Sequence, residues 1–138
     1  MSQNKVWQKF GTVLVLLVLF SLLAACTFTQ SAFTRTANNA GSAFSAAEAT
    51  LTYAHEGKIT YLYAASSFVN FQSELSGTDQ TLASQGAADT HTLRRLLALY
   101  SPAIQVIDAP CLSNTCNWRK QIEVLNRASQ AFLEAGSS

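Results

Sequence analysis

The sequence predicts an all-α fold, an antiparallel up-down four-helix bundle with a kinked or split third helix. Three observations predict it. Phe33, Ala37, Ala40, Phe44, Ala47, Leu51 and Ala54 recur at alternating four- and three-residue spacings, so large and small apolar side chains share one helical face. Three further stretches repeat that period. Gly57, Ser76-Gly77, Pro110 and Gly136 punctuate the pattern, and helices joined by short connections pack antiparallel.

In chain order, Lys5 and Lys9 come first, with no acidic residue, before an apolar run of 16 residues from Phe10 to Ala25. A helix of that length covers ~24 Å, short of a ~30 Å hydrocarbon core. A basic start, a short apolar stretch and small residues before a cut form the secretory pattern. The run ends Leu23-Ala24-Ala25-Cys26. That lipobox resembles those of bacterial lipoprotein precursors. The resemblance implies a signal peptide over 1–25, cleavage before Cys26, a diacylglycerol thioether on its sulfur, and commonly a palmitate-type acyl chain on the new α-amine. Two signals anchor stably where one acyl chain binds only marginally. An uncleaved signal anchor is the alternative. Thr27 follows the cysteine where an aspartate would mark inner-membrane retention in enteric bacteria, so inner and outer membranes both stay open.

Residues 26–31 read as a lipidated tether, and residues 32–138 as one helical domain. From Thr27 to Ser31 the chain reaches at most ~18 Å, which holds the domain against the headgroups. The first helix ends at Gly57. Tyr61, Ala64, Phe68, Phe71 and Leu75 mark the second, although Ile59-Thr60-Tyr61-Leu62-Tyr63 also has strand propensity, and a hairpin edge is the alternative for 59–63. The third opens at Thr78-Asp79 and carries Leu93, Leu96, Leu97, Tyr100, Ile104 and Ile107. Gly86 weakens its start, Asp89 or Thr90 could cap a fresh one, and Pro102 should kink or split it. The fourth begins near Asn114 or Thr115, runs through Trp118, Ile122, Leu125 and Phe132, and stops at Gly136.

Without the signal, seven basic residues face eight acidic ones, a mature charge of −1. No basic patch favours nucleic acid. Charged residues are 12% of the chain, below the ~25% of average soluble proteins. Cys111 and Cys116 remain as an even pair, expected to form a disulfide in an oxidising compartment. Residues five apart in an unbroken helix stand ~7.5 Å apart along the axis, so a bridge requires a turn there, as Pro110 suggests. A zinc half-site with the two histidines is the alternative.

No motif carries catalysis: there is no zinc-protease helix, glycine-rich phosphate loop or nucleophile elbow. No catalytic, cofactor-binding or metal residue is assigned, and no enzyme is expected. His55 is read as a cation in the last turn of the first helix, and His91 as part of a solvated helix entry with Arg94 and Arg95. Tyr53, Tyr61, Tyr63, Phe68, Phe71 and Tyr100 read as core with hydroxyls at its rim, or as the lining of a pocket. Trp118 packs on the bridge or anchors a partner.

The expectation is a lipid-anchored, non-enzymatic interaction or structural module on the extracytoplasmic face of a bacterial envelope membrane. Its contacts would be the membrane and an envelope protein partner at the end bearing His55, Glu56 and Trp118. A small-molecule, haem or metal binder using the bundle interior is the alternative. Phe44 and Leu51 should be buried against the aromatic face of the second helix, and Asn38, off the stripe, should tolerate alanine.

Overall fold

The computed structural model describes residues 8–18, 31–85 and 90–137. They belong to two units, Met1–Ser31 and Ala32–Ser138. In the first, residues 8–18 are helical. Among the described residues no helix is long and apolar enough to cross a membrane. The lipobox, with Cys26, and tether positions 26–30 lie outside the described residues.

In the second unit every described element is a helix: α1 (Ala32–His55), α2 (Tyr61–Leu75), α3 (Thr78–Gln85), α4 (Thr90–Asp108) and α5 (Trp118–Ser137). The all-α expectation holds, and five helices are described where a four-helix bundle with a kinked or split third helix was expected. The predicted third helix is described as two, α3 ending at Gln85 and α4 starting at Thr90. Pro102 does not end α4, which continues to Asp108. Its ring lies on an exposed face, and Ala103, Val106 and Ile107 beyond it are buried, which offsets a penalty of about 3 kcal/mol for an interior proline.

Local chemistry sets the ends of the helices. Past α1, Gly57 takes φ +71°, where a side chain would be strained. Its N–H donates to the Ala54 carbonyl at 3.3 Å, and the Lys58 N–H donates to that of Tyr53 at 2.9 Å. These are the paired bonds of a Schellman ending. Thr60 then caps α2, its hydroxyl accepting from the Tyr63 N–H at 3.2 Å. This resolves 61–63 as helix, with Ile59 and Thr60 before it. Asn117 caps α5 in the same way, Oδ1 accepting from the Lys120 N–H at 3.1 Å. The helix therefore starts at Trp118, four or three residues later than Asn114 or Thr115, and it runs through Gly136 to Ser137.

The predicted stripe of α1 is buried from Phe33 to Leu51. Phe44 meets Tyr100 of α4 and Phe132 of α5 edge to face, at centroid distances of 5.9 and 5.6 Å. Its aromatic partners are thus not on α2, where Phe68 pairs with Phe71. Tyr61, expected in the core, is 66% exposed at the very start of α2.

Helices α1 and α5 run antiparallel at close range. Asn38 faces Gly136, Gly41 faces Leu133, Glu48 bonds Asn126, and His55 stacks on Trp118, stepping up one helix and down the other. A Cβ on Gly41 would stand 2.7 Å from Leu133 Cγ and 2.9 Å from its backbone nitrogen. Glycine is required there because the facing backbone occupies the space. Asn38 is not indifferent either: its Nδ2 donates to the Gly136 carbonyl at 3.3 Å.

Candidate functional site

The last turn of α1, the α4–α5 connection and the first turn of α5 meet at one end of the domain. Cys111 and Cys116 are joined as a disulfide with Cα atoms 5.8 Å apart. Cys111 is buried, and Cys116 is exposed. Gln121 grips the loop from α5: its Oε1 accepts from the Cys111 N–H at 2.7 Å, and its Nε2 donates to the Ala109 carbonyl at 3.1 Å. His55 holds it from the other side, Nε2 donating to the Cys111 carbonyl at 2.6 Å. A carbonyl can only accept, so this nitrogen carries the proton. The His55 ring lies flat on Trp118, with centroids 4.2 Å apart and planes 7° apart, and the Arg119 guanidinium sits 4.6 Å from that indole.

Of the three residues read as a partner contact, His55 and Trp118 are thus brought together, both half-buried and partnered to each other. Glu56 points elsewhere. It pairs with Lys58 at 2.8 Å on the open surface, and that hydrogen bond raises the Lys58 pKa above the usual lysine range. His91 is exposed at the start of α4, away from His55. Among the described residues no group of three or more histidines, cysteines and acids could hold a metal ion. The six aromatics read as core or pocket do not share one lining. Tyr53, Tyr61 and Tyr63 are exposed, while Phe68 and Tyr100 are buried. The Tyr100 hydroxyl donates to the Leu75 carbonyl at 2.7 Å. Burial, then the Asp79 carboxylate, push its pKa above the ordinary tyrosine value.

The sequence reading missed a groove of about 360 Å³ between α2 and the disulfide loop. Tyr61, Phe68, Val69 and Gln72 form one wall, and Asp108 and Leu112 lie across from them. Outside it, Leu62 and Tyr63 are 78% and 63% exposed. One signal was available: from Tyr61 to Ser73 there is no charged residue, so no charge covers the face left after core packing.

No family model matches this chain, and no curated protein and no solved structure matches it.

Proposed function

We propose that this chain is a lipid-anchored, non-enzymatic interaction module of the bacterial cell envelope, held by acylated Cys26 on the extracytoplasmic face of a membrane. In this reading α1, α2, α4 and α5 are the four long members of an antiparallel bundle, and α3 is a short insertion before α4. The 24 residues of α1 give it a length of ~36 Å, and in this reading the helix rises from a tether of a few residues. The disulfide loop and the start of α2 then face away from the lipid, toward other envelope proteins.

One observation carries the interaction reading. Six large apolar side chains are exposed among the described residues of the domain, and four of them, Tyr61, Leu62, Tyr63 and Val69, belong to α2. Scattered exposed apolar residues need no partner, but a cluster on one charge-free helical stretch marks a contact surface. The anchor is tested by metabolic labelling with an alkynyl fatty acid. Wild type should label and Cys26→Ser should not, remaining uncleaved or unanchored. Equal labelling of both would end the lipoprotein reading.

A further inference from the structure

We infer that the groove between α2 and the disulfide loop docks a peptide segment of another protein, one that places a basic side chain beside an apolar one. The inference deepens the interaction reading above and does not depend on the lipid. Asp108 supplies the groove's formal charge, and among the described residues no cation pairs with it. It stands in the last turn of α4, where the helix's terminal carbonyls add negative potential. The Gln72 Nε2 donates to the Ile107 carbonyl at 3.4 Å, which leaves its Oε1 without a donor among the described residues. That oxygen can accept a backbone N–H from a docked chain. Tyr61, Phe68 and Val69 supply the apolar wall.

The opposite wall is built before any ligand arrives, because the disulfide, Gln121 and His55 all fix the loop. A preorganised wall reduces the ordering cost of binding. Leu62, on the face that Val69 shares at a seven-residue spacing, extends the exposed apolar surface past the groove, beyond what a small ligand of groove size would cover. A membrane is a poor fit, since the groove is concave and its charge would be repelled by anionic headgroups. Tyrosine-rich surface with sparse charge suits a protein contact.

The test uses the full chain in phosphatidylcholine nanodiscs, with empty nanodiscs as reference. The probes are two tetrapeptides, acetyl-Leu-Lys-Phe-Lys-amide and acetyl-Leu-Glu-Phe-Glu-amide, each with para-fluorophenylalanine, titrated by fluorine NMR line broadening. The basic peptide should bind and the acidic one should bind at least about threefold more weakly, the scale of one exposed ion pair. Asp108→Asn should lower affinity for the basic peptide about threefold with unchanged far-UV circular dichroism. Val69→Lys, at an exposed position, should reverse the preference. Equal binding of both peptides, no broadening above empty discs, or an Asp108→Asn titration matching wild type would overturn the inference. So would para-fluorophenethylamine binding as tightly as the basic peptide, which would make the groove a small-amine site. A photocrosslinker in place of Leu62, compared with one in place of exposed Arg127, separates the two levels. Failed peptides with adducts only from the Arg127 position would remove the groove and keep the interaction module. Adducts from neither would remove both.

Discussion

Two glycines and a tyrosine decide more at the scale of single residues than their types suggest. In an isolated helix Gly41→Ala should gain up to ~1 kcal/mol of propensity. Here the new methyl meets the Leu133 backbone nitrogen at 2.9 Å, and backbone cannot swing aside. Overpacking of ~1–3 kcal/mol should win, so Gly41→Ala should lower the melting temperature. At Gly136 the obstruction is the Asn38 side chain, which can move. Gly136→Ala combined with Asn38→Ala should therefore be less destabilised than the two single variants added together, measured as a double-mutant cycle. Asn38→Ala alone should cost about 1 kcal/mol for its hydrogen bond to Gly136. Tyr100 couples the core to alkali. Its folded pKa lies above the unfolded value, so its contribution is fully present below pH ~10 and falls as pH rises through the raised folded value. Tyr100→Phe should flatten that alkaline limb in pH-dependent denaturant melts. At neutral pH it should lose about 1–2 kcal/mol, because the buried Leu75 carbonyl loses its donor.

At the scale of elements, the disulfide loop is an end-stop for α4 and a start for α5. A bridge closing so short a loop should contribute roughly 2 kcal/mol on the chain-entropy account. Cys111→Ala with Cys116→Ala should lower the urea midpoint accordingly, and hydrogen exchange should quicken first at the Cys111 amide held by Gln121. Equal midpoints and unchanged exchange would assign the loop's order to Gln121 and His55 alone. The pair and its turn were legible in the sequence because an even cysteine count, a five-residue spacing and Pro110 all bear on a local segment. Of the two interruptions expected in the third helix, the fresh start at Asp89 or Thr90 agrees with α4 beginning at Thr90, whereas the kink or split at Pro102 is not a break. Proline forbids one hydrogen bond, yet Ala103, Val106 and Ile107 bury enough beyond Pro102 to keep α4 whole. The stacking of His55 on Trp118 joins residues 63 positions apart, and no periodicity encodes it.

For the whole molecule, fold class was legible because burial repeats along a helix, and the α1 stripe from Phe33 to Leu51 is buried as its spacing requires. Which helix each face meets was not legible, since period gives a direction from the axis and no partner. Phe44 accordingly meets Tyr100 and Phe132 instead of α2's aromatics, and the groove beside α2 emerges only once the disulfide loop is placed against it. The three rings bring three helices to one point, so removing the central one tests whether the domain is self-contained. Phe44→Ala deletes a fully buried side chain and should cost ~3–5 kcal/mol, a large share of the ~5–15 kcal/mol that holds a domain together. The full chain in nanodiscs should then lose helical circular dichroism at a markedly lower temperature, at every protein concentration. The contrasting outcome is a Phe44→Ala protein with native helicity and melting but altered sedimentation. That would mean the α1 stripe packs against another copy, because a ring buried within one chain cannot be removed without a local loss of packing. The closeness of α1 and α5 favours the first result. Gly41 and Gly136 admit the facing helix to a distance at which no side chain from a second chain could intervene.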